Sequence, residues 1–370
     1  MKKLIQLAFV ALAIIATSCE KKDDTTLEQT NTDIYGGILD SYVNKTVIPT
    51  YKGMKDNSKD LLTKVKALQT NKTDANVVEA CKAWQATRKY WEQSEAFLFG
   101  PADERNLDPY LDSWPLDLTQ LEQVLASNET LSASNISDTK GAQLRGFHTI
   151  EYLMFRKGKA RAAAEITARE MEYLSGVTEV LRNECVLLYS SWAGAEKGTN
   201  DAEILEGIDK SISVPYGPSF VKSGKVGGAY PIQVSAVDQI LQGILDIADE
   251  VGNQKLGSPH KSGNPLDVES WYSWNSLLDF QDNVRSIKHS YIGGIDAKNT
   301  GASLSDIVKK KNPELDKKVL ENIELAISKI GAIPSPFRNN LTANEVTVAM
   351  EQLNALNDIF TKEVRPIFVK

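Results

Sequence analysis

Histidine is almost missing from this chain. His148, His260 and His289 are the only three among 370 residues. No HExxH occurs, so the helix that sets two zinc-binding histidines and a glutamate base on one face, common in zinc peptidases, is excluded. Cysteine is equally scarce, at three. Neither Cys81 nor Cys185 stands in a CxxC pair, and with Cys19 near the N-terminus no disulfide framework can be drawn. Cys81 and Cys185 form one bridge or stay as two buried thiols. There is no basic block, and acidic residues exceed basic ones by 49 to 42. That balance offers no footprint for nucleic acid. Convincing alternating strands are absent, and so is a strict internal period, which excludes a solenoid.

The N-terminus is what remains unusual in composition. Lys2 and Lys3 precede an apolar run from Leu4 to Ala16, and small residues follow before Cys19. That pattern is an export signal, covering 1–18. The run is too short for a comfortable membrane-spanning helix, which needs roughly 20 residues. Ala16-Thr17-Ser18-Cys19 resembles a bacterial lipobox, with cleavage before Cys19 and lipid on its thiol. An ordinary secreted signal with an incidental cysteine is the other reading. Residues 19–32 are polar and charged, a disordered tether between anchor and domain. Within them Lys22-Asp23-Asp24 resembles the short signal of surface-exposed Bacteroidetes lipoproteins. The expectation is an outer-membrane lipoprotein of a bacterial envelope, joined to the membrane through Cys19 and facing the periplasm or the outside. Loss of Lys2 and Lys3 takes the formal charge from −7 to −9, which bears on solubility.

Helical periodicity fills the rest. Candidate helices run over 33–48, 56–70, 74–99, 115–127, 138–156, 161–192, 235–252, 266–292, 313–330 and 343–364. The fold class is all-α. About 350 mature residues are too many for one simple bundle, so two helical-bundle subdomains are expected, 33–192 and 235–370. The glycine-, proline- and serine-rich stretch 193–234 would connect them. In helix 74–99, Val77, Cys81, Trp84, Arg88, Trp91, Glu95 and Leu98 form one stripe. Its two charges make a structural ion pair, or Glu95 points into a polar pocket with Arg88 supporting it. In helix 266–292, Glu269, Ser276, Asp279 and Asn283 form a polar seam that reads as a solvated face. Pro115 suits a helix first turn, with Asp112 or Ser113 as cap.

The stretch LRGFHTIEYLMF (Leu144 to Phe155) is apolar on most sides and should be buried, yet it contains His148 and Glu151. Three residues apart, they share a helical face. A buried, unpaired carboxylate is costly. Two solutions exist. The pair hydrogen-bonds internally or to a neighbour, or it holds a metal ion, as i, i+3 Glu/His pairs do in helical-bundle iron proteins. Gly146 gives room beside the site, or lets a neighbouring helix come close.

GFHTIE fits the pattern GxHxxE, and the chain around it resembles the imelysin family. VIPTY (Val47 to Tyr51), AWQATRKYWEQSEAFLFGP (Ala83 to Pro101) and DSWP (Asp112 to Pro115) are similar to that family's segments. So are DEVGNQKL (Asp249 to Leu256) and ESWYSWNSLLDFQDNV (Glu269 to Val284). The resemblance spans roughly Asp33 to the C-terminus. It implies two helical halves related by duplication, a place in the bacterial envelope, and a role as metallopeptidase or as part of iron uptake or regulation, with iron-uptake proteins as partners. It also implies a metal, iron or zinc, on His148 and Glu151, with Glu95 and Asp112 as further oxygen ligands. Arg88, Gly146 and Glu269 would support the site, placed where 74–99 and 138–156 meet with 266–292 alongside. A zinc peptidase would need an open water position and a separate base, and Glu151 or Glu95 would have to serve as both base and ligand. The non-catalytic metal-binding lipoprotein needs fewer coincidences. A surface ligand-binding lipoprotein without metal is the third reading.

Overall fold

In this computed structural model the described residues are 33–295 and 300–369. The expected signal, Cys19 and the tether lie outside them. Residues Asp33–Lys370 form one compact unit. It is helical nearly throughout, with one short antiparallel ladder that pairs Phe155 with Ala160 and Arg156 with Lys159.

The N-terminal helices follow from their apolar spacing. Helix α1 (Ile48–Thr70) buries Tyr51, Met54, Leu61, Leu62, Val65 and Leu68. It continues a short helix, Gly36–Ser41, through a π-helical segment, Tyr42–Val47. The expected break between 48 and 56 does not occur. Pro49 sits just past the wide turn, at the start of the α-helical stretch that follows it. Helix α2 (Asp74–Glu92) starts at Thr73, whose hydroxyl accepts from Asn76 N as an N-cap. Its inner face carries Val77, Cys81, Trp84, Arg88 and Trp91. Helix α2 stops at Glu92; Glu95 belongs to a separate 3₁₀ turn, Glu95–Phe97.

Beyond it come the short α3 (Leu107–Asp112), α4 (Gly146–Met154) and the long α5 (Ala168–Ala193), which opens on a capping box of Thr167 and Glu170. Asp112 ends α3. The cap of the next helix, Leu118–Ala126, is Asp117. Helix α1 packs on α2 and α5, and α4 packs between α2 and α5. Cys81 and Cys185 are buried and free. The 193–234 stretch carries two short helices, Asn200–Gly207 and Tyr216–Val221.

The C-terminal part contains α6 (Gln233–Asp249), α7 (Ser276–Ile292), α8 (Pro313–Gly331) and α9 (Asn344–Ile359). A π-helical segment, Glu250–Lys255, prolongs α6. Helix α7 touches α2, α6 and α8. Gly243 of α6 has no room for a side chain, since a Cβ would fall 2.1 Å from Ala96 O. That contact seats α6 on the turn that holds Glu95.

Candidate functional site

Gly146 sets the geometry of the His–Glu pair. Its φ is +79°, and a Cβ there would lie 2.3 Å from Leu111 O. Only glycine tolerates both the backbone angle and the approach. The N-terminus of α4 is thereby pressed against α3, and His148 comes to rest beside Asp112. His148 Nε2 lies 3.1 Å from Asp112 Oδ1, and Nδ1 lies 3.0 Å from Glu151 Oε2. The Nε2 contact is close but misaligned, so this buried atom completes no hydrogen bond. Trp114 meets the imidazole edge-on at 4.9 Å between centroids. Burial works against a charged His148, but the flanking Asp112 and Glu151 prevail and raise its pKa to about 9.

Glu151 is fully occupied by the protein. Its Oε1 accepts from Tyr272 N at 3.0 Å, Ser273 N at 2.7 Å and Ser273 Oγ at 2.7 Å, while Oε2 faces His148. This is how the chain tolerates a carboxylate in an apolar helix. The donors come from 268–275, which the apolar spacing assigns to a helix. It is instead an irregular loop with Ser270 and Trp274 at positive φ, and α7 begins only at Ser276.

In front of His148 the acids multiply. Arg88, with no exposed surface, pairs with Asp112, with Glu92 Oε1 at 2.6 Å and with Asp279 Oδ2 at 3.5 Å. Asp112 Oδ2 also accepts from Trp91 Nε1 at 2.7 Å. Lys255 Nζ lies 3.5 Å from Glu95 and 3.4 Å from Glu269. Carboxylates outnumber cations here, and the acids respond. Burial, relieved only partly by Arg88, pushes Glu92 up to about 8 and Asp279 up to about 6. Burial also raises Glu95 well above the usual carboxylate range and Asp108 to about 6. Asp112 is the exception. Burial opposes its charge, but Arg88 and His148 overcome that and hold it below the usual range.

One oxygen each from Glu92, Glu95 and Asp112 lies within 4.8 Å of the other two. Such a set can share one cation. His148 adjoins the set through Asp112. Thus Glu95, Asp112, His148, Arg88 and Glu269 come together, with Glu151 behind His148 as its anchor. His260 and His289 are elsewhere. His260 Nδ1 lies 2.7 Å from Leu341 O, and burial drives His289 down to about 4.

Three members are not singled out by the sequence, Glu92, Asp108 and Lys255, and a fourth, Asp279, reads there only as part of a solvated seam. A signal for Glu92 existed. Glu92 and Glu95 repeat the three-residue spacing of His148 and Glu151, and Glu92 stands four residues after Arg88. The seam on α7 is also not solvated. Asp279 and Asn283 are buried, and Asn283 Nδ2 donates to Glu92 Oε2 at 2.6 Å.

The imelysin family model, of the peptidase M75 class, matches residues 47–362. The chain is 27% identical over 343 residues to iron-regulated protein A of Synechococcus elongatus, covering 92% of this chain and 88% of the relative. Its fold matches the crystal structure of a protein from Parabacteroides distasonis described as an iron-regulated protein A precursor. There the TM-score is 0.80 and the identity 34%, over 91% of this chain and 95% of the other. An imelysin-like protein from Psychrobacter arcticus shares the fold at a TM-score of 0.65 and 13% identity, over 89% and 94% of the two chains.

Proposed function

The chain belongs to the imelysin family, and from that premise we propose that it is an envelope-anchored protein that binds a transition-metal ion, iron before zinc, in the service of iron uptake or regulation. The observation that carries this reading is the convergence of Glu92, Glu95 and Asp112 oxygens within 4.8 Å, in surroundings too poor in cations to neutralise them. Two buried atoms beside the set, Glu92 Oε1 and His148 Nε2, are met by ion-pair contacts, to Arg88 Nη2 at 2.6 Å and Asp112 Oδ1 at 3.1 Å, and by no aligned hydrogen bond. An oxygen-rich donor set with one imidazole suits iron, whereas structural zinc prefers thiolate and imidazole. Glu92, Glu95 and Asp112 would hold the ion, and His148 Nε2, 3.1 Å from Asp112 Oδ1, is the imidazole nitrogen beside them. Glu151 would act one step back, fixing the imidazole by its hydrogen bond as carboxylates behind metal-bound histidines do. The ion would supply positive charge and Lewis acidity to whatever reaches it.

Proteolysis is the weaker reading. Glu151 has no oxygen free to serve as a base, and Glu92 would have to be ligand and base together. The family match and the names of the two iron-regulated relatives support the link to iron; the lipobox-like Cys19 supports the anchor. No described helix is long and apolar enough to cross a membrane. The test is calorimetric titration of metal-stripped protein with ferrous iron, kept anaerobic, and with zinc. Near-stoichiometric binding is expected, tighter for iron than the competing buffer chelator allows, and lost in Glu95→Gln with Asp112→Asn. Equal binding in wild type and in that variant would overturn the assignment.

A further inference from the structure

Lys255 differs from the other lysines that pair with carboxylates. Lys52, Lys59 and Lys140 each close on one acid at 2.5–2.6 Å, while Lys66 and Lys317, which make only longer contacts, are exposed and face one acid each. Lys255, with a side chain only 4% exposed, instead holds three at arm's length: Glu269 at 3.4 Å, Glu95 at 3.5 Å and Glu250 at 3.6 Å. Arg88 is committed to short contacts with Asp112 and Glu92. Lys255 is committed to none. Its partners differ in depth as well. The Glu95 side chain is 6% exposed, while that of Glu250 is 41% exposed and lines an open surface cavity of about 430 Å³ together with Asp249 and Gln254. The ammonium thus stands between a buried acid and one at the rim, on a flexible four-carbon stem. It is carried by the π-helical segment Glu250–Lys255, a rare local form often found at functional positions.

We infer that Lys255 is a tethered counter-cation that competes with the metal for Glu95: it neutralises the carboxylate cluster when no ion is bound and withdraws toward Glu250 when one enters. The inference rests on the metal reading above. A metal ion and an ammonium a few ångströms apart repel strongly even at the effective dielectric of a partly buried site, so one must yield. Lys255 therefore sets the affinity threshold, keeping the cluster folded without metal at the expense of binding strength. Glu250 supplies the alternative partner that makes withdrawal possible.

The experiment is calorimetric titration of the full purified chain with zinc and, anaerobically, with ferrous iron, for wild type, Lys255→Met, Lys255→Arg, Glu250→Gln and Glu95→Gln. Lys255→Met should bind at least about tenfold more tightly than wild type. Lys255→Arg should bind more weakly, because a guanidinium grips carboxylates bidentately and leaves them less readily. Glu250→Gln should also weaken binding, and Glu95→Gln should nearly abolish it. If Lys255→Met fails to fold by circular dichroism, the Lys255→Arg and Glu250→Gln pair still decides the matter. Unchanged or weaker binding in Lys255→Met, or tighter binding in Lys255→Arg, overturns the competition while wild-type binding leaves the metal reading intact. No binding in any protein overturns the metal reading and this inference with it.

Discussion

At the residue scale the sharpest question is how Glu151 survives in an apolar helix. The geometry divides labour between the two members of the motif. Glu151 spends both oxygens on Tyr272, Ser273 and His148, whereas His148 keeps Nε2 toward Asp112. Removing the carboxylate strands the buried N–H groups of Tyr272 and Ser273 and leaves Ser273 Oγ only a 3.4 Å contact with Ser270 O. Glu151→Ala is therefore expected to cost roughly 3–5 kcal/mol of stability, read as a lowered urea midpoint. Its effect on metal affinity should be smaller than that of Glu95→Gln at equal folded fraction. A Glu151→Ala protein as stable as wild type would contradict the hydrogen-bond account. His148 and Glu151 were legible as chemistry-bearing residues because charge in an apolar run is conspicuous; Glu95 stood out on its helical stripe, and Asp112 as a ligand followed only from the resemblance to the imelysin family. Their separate roles were not legible, because the partners that occupy Glu151 sit more than a hundred residues away and carry no motif.

At the element scale the helices follow from periodicity, but the site is built where helices end. Helix α2 stops at Glu92, α3 at Asp112, and α7 starts at Ser276, so the acids gather at ends and loops. Apolar spacing alone runs 74–99 and 266–292 straight through these points. The local causes of the stops are weak: Ser94, the paired positive φ of Ser270 and Trp274, and tertiary hydrogen bonds to Glu151. Such tertiary terms override propensity without leaving a pattern in sequence. One residue does announce its element. Gly146 combines φ +79° with a backbone contact that leaves no space for Cβ. Gly146→Ala should lose at least ~2 kcal/mol and shift α4 away from α3, parting His148 from Asp112. Thermal melting checks the first effect. The second should appear as a fall of the His148 pKa from about 9, followed by NMR of the imidazole carbon. An unshifted pKa would show that α4 can reseat without the glycine.

At the scale of the whole molecule, a cluster rich in buried acid makes stability depend on pH. His148 moves from an ordinary value of 6.5 to about 9, so its stabilising contribution is complete below pH 6.5 and lost as pH rises through 9. Glu92 moves from 4.5 to about 8, so its neutral form contributes fully below pH 4.5 and that contribution is lost as pH rises through 8. Both losses run in one direction. The metal-free protein should therefore melt at progressively lower temperature between pH 6.5 and 9, and bound metal should flatten the decline by replacing the missing positive charge. A melting temperature that rises over this interval would contradict the charge account. The most direct measurement of the central claim is anomalous X-ray scattering from crystals of the protein soaked in zinc or iron. The account predicts one strong peak at about 2.0–2.2 Å from oxygens of Glu92, Glu95 and Asp112, with Glu151 still bonded to Tyr272 and Ser273. A peak bound by Glu151 and remote from Glu92 and Glu95, or no peak in the cluster at saturating metal, would contradict it.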